Sequence, residues 1–405
     1  MEKTCRANSA RASVWAALSR LLAFGLAAAA CGCGGGAPDA AAPALTPAAA
    51  LGEKIFSDES LSASGRMSCA TCHDPAHAFG SSDPDVVVPS GGPSLATPGF
   101  RKAPSLRYLD RTPQFFFADD GTPTGGFNRD GRAATLADQA ERPFLAPHEM
   151  ANATPEAVVA KLRAAPYADE FRSVFGADIL DGPDGAFERM RFALELFERE
   201  DPRFHPFDSK YDLYLAGRAQ LTPRELQGLA LFNDPDKGNC ASCHPSARGA
   251  DDSPPLFTDF TYDNLGVPRN PAIPANADPS YFDLGLCGPF RTDLAQRTDL
   301  CGAFKVPTLR NVAIDAPYFH NGRFRTLRDA VTFYVQRDTN PEKWYPRGAD
   351  GTIDKFDDLP PPYRANVNTS EVPYNRKPGE APALSPEEVE LVVEFLGTLT
   401  DGYRP

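Results

Sequence analysis

The sequence predicts a mainly α-helical protein made of two similar units with long irregular loops. Three observations lead to this prediction. Apolar residues recur at helical spacing, and no stretch alternates like a strand-rich protein. The 40 prolines and 32 glycines among 405 residues require long loops between short helices. An amphipathic helical segment followed by Cys-x-x-Cys-His occurs twice, with the motifs at residues 69–73 and 240–244, which indicates an internal duplication.

The two Cys-x-x-Cys-His motifs predict the covalent attachment of two c-type haems. In each motif two thiols on one turn of chain can form thioethers with the vinyl groups of a haem, and the adjacent histidine can bind the iron. The residues concerned are Cys69, Cys72 and His73 in the first motif and Cys240, Cys243 and His244 in the second. The alternative is a zinc or redox Cys-x-x-Cys site, which two complete copies disfavour.

The first 49 residues are predicted to precede the folded units. Residues 1–30 combine basic residues with a short apolar run and are typical of an export signal. Cys31 follows three alanines in a sequence that resembles a bacterial lipoprotein box. The sequence leaves open a lipid anchor at Cys31 and ordinary cleavage into the periplasm. Residues 31–49, rich in Gly, Ala and Pro, predict a flexible tether.

The first unit, residues 50–215, is predicted to be a cytochrome-c-like haem domain. Residues 80–128 are rich in Pro, Gly and Asp and predict a long loop beside the first haem. A helix that starts after Thr135 is expected to stop at Pro143. The other helices of this unit are expected at residues 51–56, from Thr154 onward, and from about residue 185 to residue 200.

The second unit, residues 216–405, is predicted to repeat this organisation. Its helices are expected to start after the capping residues Thr222, Thr326 and Ser385. Residues 245–305 form a second long insertion that contains Cys287 and Cys301. These two cysteines are predicted to form a disulfide in an oxidising compartment, and the alternative is two free thiols.

The charge balance excludes one class of partner. The chain carries 41 Lys and Arg against 54 Asp and Glu, a formal net charge of −13. Such an acidic chain is not expected to bind nucleic acid, because the phosphate backbone is itself anionic. A basic protein partner fits this charge, although an acidic surface more often only provides solubility.

Several segments resemble the bacterial di-haem peroxidases, the superfamily of cytochrome c peroxidase and MauG, and within it a MauG/MbnH-like branch. They occur in the family's order at residues 61–75, 130–133, 139–150 and 304–322. The resemblance implies a haem peroxidase-type oxidoreductase that uses hydrogen peroxide to reach a high-valent di-haem state and oxidise a periplasmic partner protein. Two alternatives stay open. One is a cytochrome c peroxidase supplied with electrons by a small cytochrome, and the other is a non-enzymatic electron-transfer cytochrome.

The resemblance assigns Gln139 and Glu149 to the peroxide-binding side of the first haem. A partly buried carboxylate can take a proton from one peroxide oxygen and return it to the other. A nearby amide can orient the peroxide. The alternative is that Glu149 is a solvated loop carboxylate and that Gln139 faces outward. His148 precedes Glu149 and could reach the same side of the haem, but it is expected to be solvated and to bind nothing.

Residues 326–334 resemble the family's ligand helix, and the resemblance places Tyr334 at the ligand position of the second haem, where MauG-like members use tyrosine. Electron-transferring cytochrome c peroxidases use a methionine here, and no methionine follows Met190 in this chain. A phenolate ligand would lower the potential of this iron and stabilise its oxidised levels. The alternative is that Tyr334 is a core residue, with His320 or Lys305 as the ligand.

The chain departs from the family between the two haems. Arg129 stands where a tryptophan is usual, so charge sharing would need another route, through Phe127 or by direct coupling of the haems. Lys102 stands where the family has the asparagine of a calcium site, whose two carbonyl ligands would come from Asp315 and Pro317. The Lys102 ammonium is expected to replace calcium. The alternative is a shifted loop that still binds calcium.

Overall fold

The computed structural model describes residues 44–405, and nearly all of its regular structure is helical. Ten α-helices occur in this range: α1 Pro47–Ser57, α2 Cys69–Cys72, α3 Leu136–Leu145, α4 Pro155–Ala164, α5 Ala168–Phe175, α6 Pro183–Glu200, α7 Lys210–Leu215, α8 Pro223–Asn233, α9 Leu327–Gln336 and α10 Pro386–Gly397. The predicted mainly α fold is therefore confirmed for the described residues.

The strands within residues 44–405 form three antiparallel pairs, and each strand has only two residues. They are β1 Ser90–Gly91 with β2 Thr97–Pro98, β3 Phe116–Phe117 with β4 Pro123–Thr124, and β5 Tyr262–Asp263 with β6 Phe304–Lys305. All three pairs lie within or at the edges of the predicted long loops and brace them locally.

Side-chain caps explain where several helices begin. Thr135, Thr154, Thr222, Thr326 and Ser385 each accept a hydrogen bond from the backbone N–H three residues further on. Each cap satisfies a donor that the first helical turn leaves unpaired. The helix starts predicted from these residues are confirmed.

Two expected boundaries were wrong. The helix that begins after Thr135 does not stop at Pro143 but continues to Leu145. A proline lacks the donor for one helical hydrogen bond, and this loss falls in the last turn, where Ala146 N–H still bonds to the Arg142 carbonyl at 2.8 Å. The helix therefore closes normally beyond the proline.

The predicted tether, residues 31–49, ends earlier than expected. Helix α1 already starts at Pro47, and Thr46 caps it by accepting a hydrogen bond from the Ala49 N–H. A threonine followed by proline at the first helical position is a strong start signal, which the surrounding alanines and prolines concealed. The rest of the tether, the export signal at residues 1–30 and lipidation at Cys31 lie outside the described residues.

Both halves of the described chain are organised around the same helix crossing. Helix α1 packs across α6 in the first half, and α8 packs across α10 in the second. A Cβ added at Gly52 of α1 would lie 2.0 Å from a backbone carbonyl oxygen of α6 and 2.8 Å from the Phe197 Cβ. At Gly228 of α8 the corresponding distances, to α10 and the Phe395 Cβ, are also 2.0 and 2.8 Å. Only glycine permits this approach.

Two main hydrophobic cores surround these crossings. One is built from residues between 51 and 204, and the other from residues between 211 and 399. A third core, between residues 267 and 367, packs around α9. Residues 44–405 nevertheless cluster as one compact unit. The two main cores are separated at residues 205–210, so the proposed boundary between residues 215 and 216 falls just inside the second core and stays a prediction.

The second long loop contains the disulfide-forming cysteines. The structure joins Cys287 to Cys301, with their Cα atoms 5.0 Å apart. Nearby, Asp283 accepts two hydrogen bonds from Arg101, at 2.6 and 2.7 Å, and Arg101 also donates to Asp130 at 2.8 Å. This buried ion-pair group connects the second loop to the first. Within the described range, no helix is both long enough and apolar enough to cross a bilayer.

Candidate haem cavities

Each Cys-x-x-Cys-His motif lines a separate cavity. The first cavity has a volume of about 590 Å³ and contains the motif at residues 69–73. The second has a volume of about 250 Å³ and contains the motif at residues 240–244. Both cavities also touch the helix crossing of their own half, through Phe56 in the first and Phe232 in the second. The sequence repeat therefore corresponds to a repeated site.

The motif cysteines fit thioether attachment. All four are free and half-buried. Burial raises the pKa of Cys69 and Cys240 to about 12 and that of Cys72 and Cys243 to about 11. The surroundings therefore favour uncharged sulfur, as in a thioether, over the thiolate of a zinc site. Within residues 44–405 no group of three His, Cys, Asp or Glu side chains could hold a metal ion.

Both motif histidines are oriented by backbone carbonyls. His73 Nδ1 lies 3.1 Å from the Phe79 oxygen and 3.0 Å from the Pro104 oxygen. His244 Nδ1 lies 2.7 Å from the Phe257 oxygen. A carbonyl oxygen only accepts, so Nδ1 must carry the proton and Nε2 keeps its lone pair. This arrangement, a neutral imidazole fixed by its other nitrogen, is the one that an iron ligand requires.

Glu149 lines the first cavity and is held by its backbone. Its carbonyl oxygen accepts a hydrogen bond from the Gly92 N–H at 2.8 Å, and a Cβ at Gly91 would fall 2.5 Å from the same oxygen. Its side chain is 40% exposed, but its carboxylate Oε2 is buried and has no hydrogen-bond partner among the described residues. Burial raises the pKa of Glu149, while Arg132 and Arg142 oppose the rise. The carboxyl group is thus available to a molecule in the cavity.

Gln139 and His148 line the same cavity as Glu149 and His73. Gln139 extends from the second turn of α3. The expectation that His148 is solvated was wrong, because its side chain is only 23% exposed and its Nε2 lies 3.9 Å from Glu149 Oε1. Its ring also contacts Phe100 edge-on, with the ring centres 5.0 Å apart. The position of His148 directly before Glu149 was the one sequence signal for this contact.

Tyr334 lines the second cavity together with the motif at residues 240–244. Its ring centre lies 5.6 Å from that of Phe319 and 6.1 Å from that of Tyr374. Burial raises the pKa of Tyr334, and Arg337 opposes the rise. An ionised phenol at this position therefore needs a strong positive charge beside it, such as a ferric iron. Tyr374, which also lines the cavity, was missed because it lies in an irregular loop.

The two alternative ligands also line the second cavity. Lys305 Nζ donates a hydrogen bond to the Gly126 carbonyl, so one of its N–H donors already has an acceptor in the protein. The His320 ring stacks on Phe304 with 3.7 Å between ring centres, and its Nε2 is buried without a partner in the described part of the chain. Burial lowers the pKa of His320 to about 3, which keeps the ring neutral. His320 is the stronger competitor of Tyr334.

The wall between the cavities contains three cationic residues, because Lys102, Arg129 and Lys305 each line both cavities. Lys102 Nζ donates to the Asp315 carbonyl at 2.6 Å and lies 2.5 Å from the carboxylate of the same residue. Pro317 lines the second cavity. The residues expected at the calcium position are thus close together, with an ammonium group among them.

Phe127 does not lie in this wall. It packs with Ala133 and Leu136 in a separate small core and lines neither cavity. A route for charge through Phe127 is therefore not supported. At the position where the family usually has tryptophan, the wall presents the Arg129 side chain.

Comparisons with known proteins agree with this arrangement. A family model described as di-haem cytochrome c peroxidase matches residues 46–220. The methylamine utilization protein MauG of Paracoccus denitrificans is 36% identical over 386 residues, which is 91% of this chain and 93% of that protein. The cytochrome c551 peroxidase of Pseudomonas aeruginosa is 32% identical over 284 residues, 69% of either chain.

A solved structure extends the similarity to the fold. The crystal structure of the diheme peroxidase BthA from Burkholderia thailandensis superposes with a TM-score of 0.80 at 42% identity, covering 88% of this chain and 86% of that one. Identity at this level over most of both chains establishes common ancestry and not only a shared fold. The chain therefore belongs to the di-haem cytochrome c peroxidase family of haem oxidoreductases, whose members carry two haem c groups.

Proposed function

We propose that the protein is a periplasmic di-haem oxidase in which hydrogen peroxide reacts at the first haem and a partner protein is oxidised. One observation carries this proposal. The Glu149 carboxyl, with its unpartnered Oε2, lines the same cavity as the His73 imidazole. An iron ligand and a free acid–base group in one cavity are the two elements that peroxide cleavage needs.

The residues present fit two haem c groups. Thioethers would form at Cys69, Cys72, Cys240 and Cys243, and His73 and His244 would bind the irons. When bound, the haems supply iron centres that take up the two oxidising equivalents of peroxide. The chain supplies binding, orientation and proton transfer.

Glu149 would carry the proton transfer in the first cavity. Its carboxylate accepts a proton from the peroxide oxygen nearer the iron and returns it to the departing oxygen, which leaves as water. Burial raises the pKa of Glu149, which brings it closer to the working pH and makes both transfers efficient. The Gln139 amide would hold the peroxide in the orientation that places both oxygens within reach of this carboxyl.

Tyr334 would make the second haem a store of oxidising equivalents. A phenolate is a hard anionic ligand, so it stabilises the oxidised iron and lowers its potential. An iron with such a ligand is a poor acceptor of electrons from a cytochrome. This property favours oxidation of a partner protein, in the manner of a MauG/MbnH-like enzyme.

The second candidate function is that of a cytochrome c peroxidase, which reduces hydrogen peroxide with electrons from a small cytochrome. The 42% identity to a protein described as a diheme peroxidase favours it. A non-enzymatic electron-transfer role would instead require a protein ligand on both sides of the first iron. The spin state of that iron therefore tests the third function directly.

The deciding experiment is optical and EPR spectroscopy of the diferric protein before and after one equivalent of hydrogen peroxide. One high-spin and one low-spin haem, followed by a long-lived state two electrons above the diferric level, would support the oxidase. Tyr334→Phe should abolish that state, while the matched change Tyr374→Phe in the same cavity should preserve it. A diferric protein that is inert until one haem is reduced would establish the peroxidase. Two haems that stay low-spin and inert to peroxide even after one of them is reduced would exclude both enzymes.

We also propose that Lys102 takes the place of the calcium ion used by relatives. Its ammonium group lies 2.6 Å from the Asp315 carbonyl, where a cation would otherwise bind. Metal analysis of the purified protein should find no stoichiometric calcium, and Lys102→Asn should gain a calcium requirement for the peroxide reaction. One tightly held calcium per wild-type protein would contradict this proposal.

We further propose export to the periplasm, directed by residues 1–30, with lipidation of Cys31 as a testable addition. Mass spectrometry of the mature N-terminus distinguishes a lipidated Cys31 from a free terminus produced by ordinary cleavage. Intact protein with its first 30 residues retained would contradict export by this signal.

A further inference from the structure

The wall between the two cavities holds more positive than negative charge. Both cavities are lined by Lys102, Arg129 and Lys305. Within the described residues, Lys102 alone of these cations forms an ion pair with a carboxylate, that of Asp315. The nearby Asp130 is already paired with Arg101 and Arg132. Two of the three cations therefore have no carboxylate partner within the described structure.

Arg129 is the least satisfied of the three. Its Nε is fully buried and has no hydrogen-bond partner among the described residues. Asp315 and Asp283 influence its pKa through space, without a hydrogen bond to its guanidinium. The Arg129 carbonyl accepts the Lys305 N–H at 2.8 Å, which fixes the backbone of the two residues together. The guanidinium thus stands beside both cavities with its donors free.

The three cations also act on one another. Burial, together with the nearby Arg129, lowers the pKa of Lys305 to about 7 and that of Lys102 to about 8, although Asp315 opposes the fall at Lys102. Placing like charges together away from water is unfavourable unless anions compensate them. We expect the anions that neutralise these three cations to reach the wall from inside the cavities.

We propose that Arg129, Lys305 and Lys102 together form a binding site for the propionate carboxylates of both haems. Each haem carries two propionates, and a guanidinium can bind a carboxylate through two parallel hydrogen bonds. Because the same cations serve both haems, they reduce the repulsion between the two sets of propionates and link the reduction potentials of the two irons. The proposal rests on two bound haems and does not depend on a reaction with peroxide.

The test is spectroelectrochemical titration of the holoprotein, carried out without peroxide. Arg129→Gln removes a positive charge beside both cavities, so the midpoint potentials of both haems should fall. Arg142→Gln is the matched control, because Arg142 lines the first cavity alone and should lower the potential of the first haem only. Arg129→Lys keeps the charge and should leave both potentials close to those of the wild-type protein.

Two outcomes would overturn the proposal. One is an Arg129→Gln protein that retains both haems and whose second potential is unchanged. The other is an Arg142→Gln protein in which both potentials fall equally. If Arg129→Gln does not bind its haems, the proposal can still be tested by infrared difference spectroscopy. The wild-type and Arg129→Lys proteins are then compared with ¹³C in the haem carboxyls. Propionate bands that do not differ between the two proteins would contradict direct binding.

Discussion

The two cavities share one framework and differ in the group that accompanies the motif histidine. Both have a glycine-mediated helix crossing, a pair of half-buried cysteines and a histidine whose Nδ1 is bound to a carbonyl. The first cavity adds the carboxyl of Glu149, and the second adds the phenol of Tyr334. We therefore expect the shared framework to hold the haems, and we propose that one further side chain in each cavity makes their chemistry differ.

At one matched position the two helix crossings carry side chains of different chemistry. Phe197 and Phe395 occupy equivalent places, so the residues after them, Glu198 and Leu396, correspond. Both line their cavities, and Glu198 is only 5% exposed. Its Oε2 has no hydrogen-bond partner among the described residues. A buried carboxyl in the first half thus replaces an ordinary core leucine of the second.

The largest effect is expected from Glu149→Gln, which removes the acid–base group that distinguishes the first cavity. The rate of reaction with peroxide should fall about 10²–10⁴-fold, the usual contribution of a positioned proton-transfer group. Stopped-flow spectroscopy of the diferric protein measures it. Glu141→Gln is the control, since Glu141 lines the same cavity but is paired with Arg191. Equal rates in the two variants would remove Glu149 from the mechanism.

The next effect concerns the second cavity. Tyr334→Met exchanges an anionic oxygen ligand for a neutral thioether, so the potential of the second haem should rise while that of the first changes little. A redox titration followed optically measures both. His320→Asn should leave the second potential near the wild-type value. If His320→Asn shifts it and Tyr334→Met does not, His320 is the ligand and Tyr334 is a core residue.

The shared crossings predict equal losses of stability. Gly52→Ala and Gly228→Ala each place a Cβ 2.0 Å from a carbonyl oxygen, and each should lower the free energy of unfolding by about 1–3 kcal/mol. Gly397→Ala in α10 is the control, because nothing lies within 4 Å of its added Cβ. Denaturant titration compares the three variants. A clear asymmetry between the first two would mean that the crossings are not equivalent.

The smallest effect is a pH dependence of stability confined to the first half. Burial raises the pKa of Glu198 to about 8, whereas an unfolded glutamate titrates near about 4.3. Between these values the folded protein binds the extra proton, so stability falls as pH rises. Glu198→Leu, which copies Leu396, should raise the free energy of unfolding by about 1 kcal/mol at pH 8 and flatten the profile. An unchanged pH profile would show that Glu198 is not buried in the holoprotein.

Local signals made much of the helical structure predictable. Capping residues marked five helix starts, because a Ser or Thr at the residue before the first helical turn can be recognised in the sequence. Helix α5 was missed because Tyr167 precedes it without a capping hydrogen bond. Helix α7 was missed although Ser209 caps it by accepting a hydrogen bond from the Asp212 N–H, because its six residues are too few for a periodic pattern.

The cavities were predictable only where the chemistry is local. Each haem motif lies within five consecutive residues, so sequence alone revealed it. The wall of Lys102, Arg129 and Lys305 joins loops separated by up to 203 positions, and no local spacing indicates such a contact. Tyr374 was missed for the same reason, since an irregular loop brings it to the second cavity.

The glycine crossings have a consequence for the history of the chain. Gly52 and Gly228 make the same close contact although the helices around them differ in sequence. After a duplication, a substitution at either position would damage the whole half, whereas changes in the loops leave the crossing intact. The loops at residues 80–128 and 245–305 could therefore diverge without disturbing the crossing. The two irons could then acquire different functions while the helix crossings that hold them stayed the same.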